Sequence, residues 1–294
     1  MQKILREDKK FSMDEMKRYL IFGVMLAVVL LSACKAGRGF RGDDSALSDS
    51  LGVDSLAADS LDGDFSNVVV PKAADELFDD FIFNFAGNSK LQRERIVFPL
   101  KVITHGRQSL MKRQQWQMDY FFMRQGYYTL LFDSERHMEI VKDTSVTRAV
   151  VEKIFFEDQT IKQYVFNRIR GTWMMTCINE IPMQQSHNAS FLDFYHQFVS
   201  SLAFQQAHLE KTVKFVGPDP DDDFAQMEGI ITPDTWPAFS PQLPNNLLYN
   251  IVYGRPEKCG KQKVLVLRGI ANGLELQMTF RLKNNTWRLT KMIT

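Results

Sequence analysis

Cysteine is scarce in this chain, with three in 294 residues, at positions 34, 177 and 259. None stands at Cys-x-x-Cys spacing, which excludes zinc-knuckle and dithiol redox chemistry. Histidine is equally thin: His105, His137, His187, His196 and His208 form no His-Glu-x-x-His pair, so no metal site is expected. A Gly-rich phosphate loop and a Gly-x-Ser-x-Gly elbow are also missing, and no cofactor is expected. The acidic run Asp219-Pro220-Asp221-Asp222-Asp223 lacks the glycine and the terminal glutamate of a calcium loop and reads as a solvated turn. Charge of one sign is lacking too. The formal net charge is +1, and without residues 1–33, which hold six Lys/Arg and four Asp/Glu, it is −1. No basic footprint for nucleic acid exists.

Long apolar runs are absent as well. The longest, residues 19–31, is too short to span a bilayer and has the length of a secretory signal. It follows Lys17 and Arg18 and ends in Leu31-Ser32-Ala33-Cys34. That ending resembles the lipobox of bacterial lipoproteins, in which the cysteine is lipidated and becomes the new N-terminus. The resemblance implies a signal peptide over residues 1–33, lipidation of Cys34 and anchoring by acyl chains. Met16-Lys17-Arg18 is the tidier start, because Glu7, Asp8, Asp14 and Glu15 are unusual in a signal. With Lys35 after the lipid and no acid before Asp43, the expected location is the outer membrane, facing the periplasm.

Residues 34–70 are rich in Ser, Asp and Gly and nearly free of aromatics, a composition that cannot offset its own ordering entropy. They read as a disordered tether. Asp-Ser-Leu recurs there every five residues, and Asp44-Ser45-Ala46 is a variant. These tripeptides resemble the acceptor motif for protein O-glycosylation in Bacteroides-like bacteria, which would place sugar on Ser45, Ser50, Ser55 and Ser60. A spacer without sugar is the alternative.

Beyond the tether the chain repeats. Phe78, Phe81 and Phe85 fall on one face of a helix, and Phe191, Phe194 and Phe198 match them at an offset of 113, as Gln205 matches Gln92. The segment from Gln163 to Trp173 matches that from Gln277 to Trp287 at an offset of 114. Arg170-Gly171 and Asn284-Asn285 supply the turn residues of a hairpin in each. The pattern gives two α+β domains, residues 71–182 and 188–294, each a helix followed by a curved antiparallel sheet. Strands are expected at 127–132, 149–156, 247–252, 263–269 and 274–282, and a helix over 107–120. The six residues between the copies hold Pro182 and no glycine, so the copies should pack as one rigid unit. Asn188 or Ser190 is the expected helix cap. For Cys177 and Cys259, unpaired packing is favoured, with a disulfide across the halves as the alternative.

From residue 73 onward the Phe-rich helix and the Thr-Trp hairpin resemble the nuclear transport factor two-like, cystatin-type α+β roll. More closely, the chain resembles an uncharacterised family of Bacteroides-type lipoproteins that carries two such rolls in tandem. Enzymes of that fold place Asp, His or Tyr inside the cone, and Tyr120, Tyr127, Tyr128, Asp133 and His137, with Tyr249 and Tyr253, are candidates for a pocket. No spacing among them defines a catalytic set. The favoured reading is a binding module for a small molecule, a glycan or a protein partner, with its site between the copies. An isomerase- or dehydratase-type enzyme and a structural subunit of an envelope assembly are the alternatives.

Overall fold

The computed structural model describes residues 77–219, 221–255 and 260–294. The expectations for the signal, the tether, Cys34, Ser45, Ser50, Ser55, Ser60 and Cys259 lie outside the described residues. Helix α1 (Phe78–Gly87) buries Phe78, Phe81, Ile82 and Phe85, and α3 (Ala189–Ser200) buries the counterparts Phe191, Phe194, Tyr195 and Phe198. Each helix stops at an extended residue whose side chain caps a short second helix. Asn88 opens α2 (Ser89–Glu94), its Oδ1 accepting from the backbone N–H of Lys90 and Leu91 at 3.0 Å. Ser201 opens α4 (Leu202–Ala207) in the same way.

Strands β1 (Ile96–Thr104), β2 (Arg107–Met111), β3 (Tyr127–Phe132), β4 (Arg148–Phe155), β5 (Thr160–Ile169) and β6 (Thr172–Pro182) come from the first half. The second half supplies β7 (Leu209–Asp219), β8 (Asp222–Ile231), β9 (Leu247–Tyr253), β10 (Gln262–Gly269), β11 (Glu275–Lys283) and β12 (Thr286–Ile293), with a short helix α5 (Trp236–Phe239) between β8 and β9. All join one 12-stranded sheet in the order β2-β1-β6-β5-β4-β9-β3-β10-β11-β12-β7-β8. Exchanging each strand for its counterpart in the other half and reading backwards returns the same order.

The halves trade strands at the centre. β3 pairs antiparallel with β10, β9 pairs antiparallel with β4, and the two traded strands meet in parallel at Thr129↔Asn250 and Leu130↔Ile251. Tyr-Tyr-Thr-Leu-Leu-Phe in β3 and Leu-Leu-Tyr-Asn-Ile-Val-Tyr in β9 are nearly continuous apolar runs, as strands covered on both faces require. Tyr128, Leu130 and Phe132 join the core under α1, whereas Tyr127 and Leu131 pack on the core under α3. The described residues accordingly form one compact unit. The terminal hairpins close as expected, with Arg170-Gly171 and Asn284-Asn285 all at positive φ. Their tryptophans meet the first phenylalanine of each helix edge-on, Trp173 on Phe78 at 4.9 Å and Trp287 on Phe191 at 5.4 Å.

Several local expectations are corrected. Residues 107–120 are no helix: they form β2 and a 3-10 turn at Arg113–Gln115, because the Arg107-Gln108-Ser109-Leu110-Met111 stretch is an exposed edge strand paired with β1 on one side. Neither Asn188 nor Ser190 caps α3 through its side chain: the Asn188 Oδ1 accepts from Lys263 Nζ, and the Ser190 Oγ from the Trp287 indole at 3.2 Å. Cys177 is a free thiol on β6, in line with the favoured reading.

Candidate functional site

A cavity of about 630 Å³ opens at the mouth of the first half. Its walls are Trp116, Asp119, Tyr120, Phe121 and Arg124 from the segment between β2 and β3, Lys153 from β4, Lys162 and Tyr164 from β5, and Tyr249 from the traded strand β9. The site is thus completed by the other half. Gln92, fully buried on α2, fixes the loop that forms one wall. Its amide nitrogen donates to the carbonyls of Phe85 (2.9 Å) and Asp119 (2.7 Å), and its oxygen accepts from the Trp116 indole (3.1 Å) and the Asp119 N–H (3.2 Å). All hydrogen-bonding capacity of that amide is used, so the loop is held without strain on a buried polar group. Gln205 does the same in the second half, accepting from the Trp236 indole at 2.7 Å. The repeat of Gln92 and Gln205 seen in the sequence is therefore a packing device.

Within the cavity the Tyr164 hydroxyl donates to Asp119 Oδ2 at 2.5 Å, and the Phe121 N–H donates to Asp119 Oδ1 at 2.9 Å. Burial, then the neighbouring Asp119 charge, pushes the Tyr164 hydroxyl well above the ordinary tyrosine range. Burial also raises Tyr249, partly offset by its hydrogen bond with Lys153. These tyrosines are donors and walls at neutral pH, not bases.

A second, smaller cavity of about 170 Å³ is bordered by residues 185–188, just before α3. Asp133, His137, Arg148, Glu152, Gln163 and His187 line it. Lys263, 1 % exposed, donates to Asp133 and to Asn188 Oδ1, while Asp133 Oδ2 is 3.3 Å from His187 Nε2. Glu152 accepts from Gln163 Nε2 and Asn250 Nδ2, both at 3.0 Å. Burial raises its pKa, and the two amides, His187 and Arg148 pull it partway back.

The pocket candidates scatter among four places. Tyr120 and Tyr249 line the large cavity, and Asp133 and His137 line the small one. Tyr127 faces the core under α3. Tyr128 and Tyr253 belong to a fourth cluster, in which the Tyr253 hydroxyl donates to Asp79 on α1. Burial raises Asp79 from 3.8 to about 6, opposed by Arg268 and aided by Asp80, and burial first raises Tyr128 to about 12. An aspartate that holds its proton more tightly when folded favours the fold at low pH, so this contribution is lost as pH rises from about 4 to about 6. Asp79→Asn should flatten the pH dependence of thermal unfolding across that window and raise the melting temperature at pH 7. An unchanged pH profile would refute the assignment.

Sequence reasoning missed Trp116, Asp119, Arg124, Lys153, Lys162 and Tyr164 as site residues. A signal for the two lysines was present, because Lys153 and Lys162 stand at equal distances from Glu157-Asp158, the centre of the β4–β5 turn. Among the described residues no group of three or more His, Cys, Asp or Glu is placed to hold a metal ion, and no helix is long and apolar enough to cross a membrane.

Helices packed on a curved sheet, with a cavity at the mouth of a roll, define an α+β protein of the nuclear transport factor two-like class. The chain belongs to the family described as domain of unknown function DUF4348, whose model matches residues 57–294. A crystal structure of an NTF2-like protein from Bacteroides fragilis is similar to it at 41% identity and a TM-score of 0.69, covering 76% of this chain and 98% of that one. No curated protein matches.

Proposed function

We propose that this protein is a lipid-anchored binding module of the cell envelope that holds a small ligand in the 630 Å³ cavity. The observation that carries this reading is the cavity wall itself: aromatic rings drawn from both halves, with the loop that bears Trp116 and Asp119 locked by Gln92 before any ligand arrives. A preformed pocket of this size, walled by rings and by charged and polar groups alike, has the dimensions of a small-molecule site. Leu247→Trp should fill the space beside Tyr249 and abolish retention of any small molecule released on denaturing the protein isolated from its host. Equal release from the variant would place the ligand elsewhere.

Two tandem rolls that have exchanged β3 and β9 are the organisation we infer, supported by the mirrored strand order. Anchoring at Cys34 on the periplasmic side of the outer membrane is supported by Leu31-Ser32-Ala33-Cys34 and by Lys35. Protease added to intact cells should then spare the protein; complete digestion would reverse the orientation. Acid–base catalysis is a second reading, favoured by the Glu152, His187 and Asp133 cluster of the smaller cavity. Deuterium exchange into carbon acids in heavy water, lost in Glu152→Gln, would support it; none above the buffer rate would end it.

A further inference from the structure

The cationic groups of the large cavity are arranged at a cost. Lys153 and Lys162 face each other directly across the β4–β5 ladder, and Arg124 opens onto the same space. Like charges directly opposite on one sheet face destabilise the pairing. None of the three belongs to an ion pair among the described residues. Each instead lies over a tyrosine ring: Arg124 at 4.2 Å from the Tyr120 centroid, Lys153 at 5.4 Å from Tyr249 and Lys162 at 5.1 Å from Tyr164. A ring quadrupole orients a cation but leaves its charge intact. The one acid among the described residues that line the cavity, Asp119, already accepts from Tyr164 and from the Phe121 N–H.

The second half shows what this position holds when it serves packing alone. At the 114-residue offset of the hairpins, Lys153 and Lys162 become Leu267 and Leu276, which also face each other and are 5 % and 6 % exposed. Two lysines therefore stand where the fold accommodates two leucines.

We propose that the large cavity takes an anionic, ring-bearing small molecule, its carboxylate or phosphate received by Lys153, Lys162 and Arg124 and its ring laid along the tyrosines. This rests on the cavity being the binding site. An anion bound there relieves the repulsion between the two lysines, so charge gives the ligand an advantage that a neutral ring lacks.

The test is a matched pair of probes, 4-nitrophenyl β-D-glucuronide and 4-nitrophenyl β-D-glucoside, which differ only in carboxylate against hydroxymethyl. They are titrated against the purified full-length protein by calorimetry. We expect the glucuronide to bind about tenfold tighter or better, and the margin to shrink as salt rises from about 0.05 to 0.5 M. Lys153→Met and Lys162→Leu should erase the margin, weakening glucuronide binding by a larger factor than glucoside binding. Both variants should melt at or above the wild-type temperature, since each removes repulsion, so a folding failure would not be mistaken for lost binding. The 6-phosphate of the glucoside tells a phosphate preference from a carboxylate preference, and either supports the proposal. Equal affinity for glucuronide and glucoside would overturn it and leave the binding reading intact. Failure of every probe to bind would overturn both.

Discussion

Replacing Lys263 by methionine is expected to cost about 3–5 kcal/mol of folding stability, the range seen when one partner of a buried ion pair is removed. Lys263 is 1 % exposed and Asp133 8 %, so the carboxylate left behind has little access to water. Its remaining partner is His187, at 3.3 Å and charged only when protonated. Asn188, whose Oδ1 accepts from Lys263 at 2.6 Å, loses its donor as well. A loss of this size is a large share of the roughly 5–15 kcal/mol that holds a typical protein together. It also loosens the connector, because Asn188 begins the second half and Asp133 directly follows β3. Adding Asp133→Asn to the methionine variant removes the stranded charge. Urea titration should show the double variant to be more stable than Lys263→Met alone, and equal stabilities would mean that the pair contributes nothing specific.

The second large effect concerns cooperativity. Phe85→Ala under α1 and Phe198→Ala under α3 each delete a fully buried ring, a change that typically costs about 3–5 kcal/mol. In two rolls joined by a linker, each would shift its own transition and leave the other in place. Here the core under α1 contains Tyr249, Ile251, Tyr253, Val264 and Val266 from the second half, and the core under α3 contains Ile154, Phe156 and Ile161 from the first. Neither core is complete without strands from the other half. Both variants should therefore lower one common transition, followed by near-ultraviolet circular dichroism and tryptophan fluorescence. Two separable transitions in either variant would show that the traded strands do not couple the halves.

Local patterns were readable without the structure because their partners are close in sequence. The spacing of Phe78, Phe81 and Phe85 follows the turn of a helix, and Arg170-Gly171 and Asn284-Asn285 announce turns through backbone preference alone. The repeat was readable for the same reason, each copy restating the same local rules. Strands β1 and β2 were not readable. β1, paired on both sides, has an Ile96-Val97-Phe98-Pro99-Leu100 run with no apolar alternation, and the Gln108-Ser109-Leu110 stretch of the exposed edge strand β2 is neutral between helix and strand.

Local pattern alone carries the α+β class, the Phe-faced helices, the Thr-Trp hairpins and the repetition of helix and hairpin. The pairing of β3 with β10 and of β9 with β4 emerges only in the folded chain, and the site comes with it. An apolar strand fits against any neighbour that buries both its faces, so its own residues do not name its partner. Tyr249 reaches Lys153, and Lys263 reaches Asp133, only because the two halves trade those strands.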